Sequence, residues 1–255
     1  MSMRDVSLRT GAPLNHPSLR WLDPYLFSAD AAEDFTDGAP DPWTDSLGRS
    51  WDLLNYTKAS TFALDGTKLD WAQNQSGSLT AGTAPGISLP ITNIAALRNV
   101  DRLICNTRIN LGTSGNFGRF MVGLLNGTTY CAGGVMYVSA SGDWEGGGIS
   151  ASSEWSNFGV AVSTETDLVL QTIFTPMGAL VYDCGAWSGD WSQYRKFGGG
   201  GTGIAAVSAK DISGRTALPT PFDSSSTKLV FATSRTTGTT NAGLIGFDVG
   251  YEVSV

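Results

Sequence analysis

Histidine is almost absent from this chain. His16 is the only one among 255 residues, and it stands beside Pro17. A Ser-His-Asp or Cys-His site needs a base held by a third group within hydrogen-bond reach, and a proline-rich stretch is a poor place to hold one. Histidine-based metal catalysis fails for the same reason. Cysteine is scarce too. Cys105, Cys131 and Cys184 are odd in number and include no CxxC pair, so a disulfide framework or thiolate metal site is not expected, although one incidental pair stays open. Charged residues are only 15%, with 16 basic against 23 acidic and a net charge of -7. The longest basic run is Arg195-Lys196, whereas phosphate backbones require clustered Lys and Arg. Nucleic acid and anionic membranes are therefore not expected partners. No stretch approaches the roughly 18 apolar residues of a membrane span. The opening MSMRDVSLRTGAPLNHPSLRW has no apolar core of a signal peptide.

Helical periodicity is also missing beyond about three turns. What is present is alternation at period two. GLIGFDVGYEVSV (243–255) is the strongest case, with Ile245, Phe247, Val249, Tyr251, Val253 and Val255 opposite Gly246, Asp248, Gly250 and Glu252. DRLICNTRINL (101–111) places Leu103, Cys105, Ile109 and Leu111 opposite Arg102, Asn106, Arg108 and Asn110. DLVLQTIFT and ALVYDC flank a short turn at Pro176-Met177-Gly178. FGRFMVGLL and TYCAGGVMYV flank Asn126-Gly127, and STFAL and KLDWA flank Asp65-Gly66, a hairpin turn pair. The 32 glycines are scattered without a collagen period, as turn and bulge residues are. Roughly a dozen strands with Gly, Ser and Thr turns predict an all-β antiparallel sandwich over residues 34–255. Residues 1–33 hold Pro13, Pro17 and Pro24 and no alternating run, which predicts an extended N-terminal arm making few contacts with its own core.

The eight tryptophans carry the functional question. Trp71 lies in a strand pattern and is expected in the core; Trp43 and Trp51 bracket TDSLGRS and are expected to cover the core edge. Trp144, Trp155, Trp187 and Trp191 sit in Gly/Ser-rich loops. Burying about 200 Å² of a tryptophan is worth several kcal/mol, so these four need cover: local packing, a sugar, or a neighbouring protein. In DCGAWSGDWSQYRKFGGGGTG (183–203), Trp187, Trp191 and Tyr194 offer rings, with Asp190 and Gln193 as polar partners. The glycines around them predict a loose loop that a partner must order. Trp144, Trp155, Trp187, Trp191 and Tyr194 are thus the candidate partner or glycan contacts. GGGGTG lacks the Lys-Ser/Thr of a phosphate-binding loop.

Asp143 and Glu145, with Glu154 nearby, are the acids a glycosidase would use, but solvated acidic turns account for them and no catalytic residue is assigned. Asp34, Asp37, Asp41 and Asp45 are of the ligand type calcium takes. Their spacing matches no EF-hand loop, and turn chemistry explains them. No organic cofactor is expected, and calcium at these aspartates stays open as the one metal.

Three segments together carry a resemblance. EDFTDGAPDPWTDSLGRSWDLLNYTKASTFALDGTKL, LVLQTIFTPMGALVYDC and GLIGFDVGYEVSV resemble the opening, a paired-strand middle and the closing strand of concanavalin-A/laminin-G-like sandwich domains. The resemblance implies a jelly-roll or concanavalin-like topology. It also implies a choice among lectins, glycosidases, adhesion modules and bacteriophage particle proteins. An acidic, lysine-poor, Gly/Ser/Thr-rich domain without an export signal fits the last best. The expectation is a virion structural protein, capsid decoration or tail/fibre, assembled in the host cytoplasm and exposed on the particle. Its expected partners are other virion proteins and further copies of itself, with a cell-surface glycan as an additional ligand. A lectin-like adhesin and a glycoside hydrolase are the alternatives.

Overall fold

The alternation written in the sequence becomes two antiparallel sheets. The computed structural model describes residues 19–22, 24–26, 42–44, 48–54, 63–65, 68–70, 86–90, 100–110, 118–126, 129–138, 144–150, 155–161, 167–175, 178–208, 227–235 and 243–253. The strands are β1 (Leu19–Trp21), β2 (Tyr25–Leu26), β3 (Trp43–Thr44), β4 (Ser50–Leu54), β5 (Ala63–Asp65), β6 (Lys68–Asp70), β7 (Gly86–Pro90), β8 (Val100–Asn110) and β9 (Gly118–Asn126). They continue with β10 (Thr129–Val138), β11 (Trp144–Ser150), β12 (Trp155–Ala161), β13 (Asp167–Thr175), β14 (Gly178–Ala186), β15 (Thr202–Ser208), β16 (Thr227–Arg235) and β17 (Gly243–Val253). One sheet has nine strands in the order β15, β14, β13, β8, β17, β6, β5, with β1 and β2 also on β17. The other has eight, in the order β12, β11, β10, β9, β16, β7, β4, β3.

The hairpins predicted from turn residues form as expected. Asp65 pairs with Lys68, Asn126 with Thr129, and Thr175 with Gly178. β17 is paired along both edges: β8 on one side, and β6, β2 and β1 in turn on the other.

Between the sheets the alternate residues fill a core. Trp51 and Phe231 from the eight-stranded sheet meet Phe247 from the nine-stranded one. The Trp51–Phe247 centroids are 5.7 Å apart and edge-on, and the Phe231–Phe247 centroids 5.1 Å apart. Phe120 extends the group at 6.5 Å from Phe231. Each buried ring contributes on the order of 2–3 kcal/mol by area. Trp51 lies deeper than the core edge expected of it, fully buried among these rings; the side chain of Trp43, and Trp71 altogether, lie outside the described residues.

The N-terminal arm needs correction. Residues 19–22 and 24–26 are not a segment clear of the core. Leu19, Arg20 and Trp21 pair with Glu252, Tyr251 and Gly250, the Leu22 amide donates to Val249 O at 2.9 Å, and Tyr25 and Leu26 pair with Phe247 and Gly246. The physical reason is the edge of β17. Its amides and carbonyls would otherwise be open, and an extended chain between prolines is the right shape to close it. Residues 1–18, 23 and 27–33 lie outside the described residues.

Candidate binding surface

β8, β13, β14 and β17 turn a second face away from the core, and this face is covered as well. In register across it, Tyr182 opposes Gln171, Gln171 opposes Asn106, and Asn106 opposes Asp248. Gln171, Asn106 and Asp248 are all fully buried. Their cover is the segment between β14 and β15.

That segment is built by local turn chemistry. Asp183 Oδ1 accepts from the Gly185 amide at 2.9 Å, and the Trp187 amide donates to Asp167 O at 2.9 Å. Asp190 then caps a single 3-10 turn, Trp191–Tyr194, by accepting from the Ser192 amide at 2.9 Å. The hydroxyl of Ser192 bonds the same carboxylate. These two bonds hold the Asp190 carboxyl below its ordinary range. The chain returns through Gly198, Gly199 and Gly200, whose φ values are 77°, 58° and 78°. Three successive left-handed residues exclude side chains. A Cβ on Gly199 would also land on Cys184 Sγ. The glycine run is therefore a fixed turn, not the loose loop its composition predicts.

The rings point inward. Trp191 and Tyr194 are 8% and 4% exposed and pack with Val169, joined by Cys184 and Trp187. Trp187 meets Trp191 edge-on at 4.7 Å, and Arg108 Cζ lies 4.6 Å from its ring centroid. Arg108 is in turn held by Asp167, with Nε to Oδ1 at 2.9 Å and Nη2 to Oδ2 at 2.5 Å. The Tyr194 hydroxyl donates to Ala186 O at 2.8 Å and accepts from the Ser188 amide at 2.9 Å.

Beneath the rings the polar row fastens the backbone. Gln171 Nε2 has three acceptors within hydrogen-bond distance, Tyr194 O and Lys196 O at 3.0 Å and Asn106 Oδ1 at 2.7 Å, and its two hydrogens are shared among them. Both backbone carbonyls also accept a backbone amide, Tyr194 O from Lys196 at 2.7 Å and Lys196 O from Gly199 at 2.9 Å, so the side-chain amide adds a second bond that ties the turn to the sheet. Asn106 Nδ2 lies 3.4 Å from both Tyr194 O and Asp248 Oδ2. Arg195 forks onto Asp248, with Nε to Oδ2 at 3.1 Å and Nη2 to Oδ1 at 3.0 Å. Burial pushes the Asp248 carboxyl up, opposed by Arg195 and Asn106.

What remains outward is a rim: Ser188, Asp190, Ser192, Gln193, Lys196 and Phe197 are exposed. Phe197, at 38%, is the large hydrophobic side chain left open among the described residues. It is held edge-on to Tyr182 at 6.0 Å, with Arg102 Cζ 5.5 Å from its ring centroid. Arg102 pairs with Glu252 at 3.2 Å.

Of the five aromatic candidates, Trp191 and Tyr194 are thus buried against their own sheet and Trp187 half-buried with them. Trp144 and Trp155 begin β11 and β12, but their side chains lie outside the described residues. So do Asp143 and Glu154, the side chain of Glu145, His16, and the four aspartates Asp34, Asp37, Asp41 and Asp45. Among the described residues no group of three His, Cys, Asp or Glu is placed to hold a metal ion, and no helix is long and apolar enough to cross a membrane. Cys105 and Cys184 are free thiols. Phe197 was missed by sequence reasoning. Its signal was position: an aromatic at the end of the ring-rich segment, just before the glycines that turn the chain.

No protein-family model matches this chain, and no curated protein sequence matches it. Among solved structures it is similar to the CBM2 module of the evolved Dit of Lactobacillus casei BL23 phage J-1, at 11% identity and a TM-score of 0.46, covering 93% of this chain and 92% of that one. It is also similar to Trypanosoma rangeli sialidase, at 11% identity and a TM-score of 0.48, covering 94% of this chain and 31% of the sialidase. A third likeness is the GH43 protein BlXynB of Bacillus licheniformis, at 11% identity and a TM-score of 0.45, covering 78% of this chain and 36% of that one.

Proposed function

We propose that this chain is a structural module of a tailed-bacteriophage particle that binds a neighbouring copy of itself through the 188–197 rim. The observation that carries the reading is Phe197, exposed on a segment whose backbone is already fixed by Gln171 and Arg195. Ordering a contact loop normally costs binding energy. Here that cost is met on folding. Aromatic residues and arginine are also the residue types enriched in the cores of protein interfaces. The low-charge, acidic, all-β character of the chain supports a place on the particle exterior. The module acts without turnover in this reading.

Glycan binding is the second reading. Asp190 and Gln193, both exposed beside Phe197 in sequence, supply the carboxylate and amide that a sugar takes. The two separate in one experiment. Light scattering measures oligomer mass, and a glycan array measures sugar binding, for the wild type and for Phe197→Ala with Gln193→Ala. Loss of assembly without any glycan signal supports the protein contact. A glycan signal lost in the variant, with assembly intact, overturns it. A hydrolase reading is tested separately: polysaccharide turnover that disappears in Glu145→Gln would replace both.

A further inference from the structure

Arg195 holds together two parts of the chain that are far apart in sequence. Besides its fork onto Asp248 it donates from Nη2 to Leu22 O at 2.8 Å, and its Cζ lies 5.6 Å from the ring centroid of Trp21. Trp21 has a place made for it. It pairs with Gly250 on β17, and a Cβ at Gly250 would stand 2.8 Å from two atoms of its indole ring. Any side chain at Gly250 would displace the ring, and the ring is what Arg195 lies on.

We propose that β1 and the 187–200 segment form one coupled unit, so that attachment of the N-terminal strand sets the order of the rim that carries Phe197. Arg195 sits in the middle of that segment, between Tyr194 and Lys196, whose carbonyls both bond Gln171. When β1 is in place, Trp21 and the Leu22 carbonyl orient the guanidinium and its fork closes on Asp248. When β1 leaves, Arg195 loses two of these contacts, and the turn it anchors loosens over the sheet. Coupling of this kind is reciprocal: loosening Arg195 must also release β1. As a means of regulating the contact surface, the inference rests on the proposed function. The coupling itself is measured without any partner.

Native-state hydrogen exchange on the full chain tests it from both ends. In Trp21→Ala, the amides of Trp187, Gly199 and Gly201 exchange roughly fivefold or more faster, while those of β8 and β13 keep their wild-type protection. In Arg195→Lys, which keeps the charge but cannot fork, the Leu22 amide accelerates in the same way. Gly250→Ala repeats the first experiment by displacing Trp21 rather than removing it. Unchanged exchange at Trp187, Gly199 and Gly201 overturns the inference. So does an equal acceleration of every amide, which signals global destabilisation, or an unaltered Leu22 amide in Arg195→Lys. Failure of Phe197→Ala to alter assembly would sink the proposed function and leave the exchange result standing.

Discussion

The ring of Trp187 lies parallel to that of Tyr194, with centroids 5.7 Å apart and 14° between the planes. Trp191 completes the set from beneath, almost wholly buried. The rings are therefore one another's partners, and their loss acts on stability first. Trp191→Ala is expected to cost about 3 kcal/mol, typical of a large aromatic removed from a packed site. Tyr194→Phe removes only the hydroxyl that bridges Ala186 O and the Ser188 amide, and is expected to cost about 1–2 kcal/mol. Urea unfolding measures both. Equal stability in Trp191→Ala would mean that the ring is not packed as described.

Gly199 supplies a sharper test of the turn. Alanine there meets two separate penalties: a left-handed backbone at φ 58° and contact of its Cβ with Cys184 Sγ. The first costs about 1 kcal/mol and the second about 1–3 kcal/mol. Gly199→Ala/Cys184→Ala removes the contact and keeps the backbone strain. The double variant is expected to be more stable than Gly199→Ala alone, and a double-mutant cycle by urea unfolding isolates the difference. Strict additivity would place the two residues out of contact.

The sandwich was legible because its signal is local. Period-two alternation in 243–255 and 101–110, and turn pairs such as Asp65-Gly66, dictate strands and hairpins with little help from distant residues. The cover on the outer face was not legible, because its signal is relational. Asn106, Gln171 and Asp248 read as ordinary solvent-facing polar positions on three separate strands. They form one buried row only once the strands are in register. The clue was the kind of two of them: Asn106 and Gln171 carry amides that can donate to backbone carbonyls, where a solvent-facing strand position more often carries lysine or glutamate. The four glycines misled for the opposite reason. Composition reads as looseness, but three positive φ angles in succession define one shape.

Removal of residues 1–26 is expected to destabilise the domain, contrary to what an arm would do. The deletion takes away β1 and β2 and leaves the β17 edge from Gly246 to Glu252 without its partner strands. An uncovered edge of that length recruits other strands. The expected result is a lower urea midpoint with concentration-dependent association by light scattering. A truncated chain as stable as the full one would restore the arm.

The thiols are expected to be inert in the native state. Burial pushes both Cys105 and Cys184 up to about 12, and only the thiolate attacks an alkylating reagent. In a Cys131→Ala background, iodoacetamide at pH 8 should label neither until the chain unfolds, and both together in denaturant. Rapid native labelling of Cys184 would show that the Gly198–Gly200 turn does not cover it.

Asp248 gives the pH dependence a definite sign. Its folded carboxyl is raised above the ordinary aspartate value, chiefly by burial, so the folded state holds a proton more tightly than the unfolded chain. The stability this group contributes is present in full below the ordinary aspartate value. It is lost as pH rises through the raised folded value, and is constant above that. Asp190 runs the other way. Its lowered carboxyl adds stability above the ordinary value and loses it as pH falls through the folded one. Asp248→Asn removes the first dependence and leaves the second. Replacing a buried charge usually strands its partner, but Arg195 is 29% exposed and can turn to water. The stability of the wild type minus that of Asp248→Asn, measured by urea unfolding from about pH 3 to about pH 7, is therefore expected to fall as pH rises and then level off. A difference that rises with pH would mean that the Arg195 fork outweighs burial, and that the ion pair rather than the amide row is what fastens the segment to the sheet.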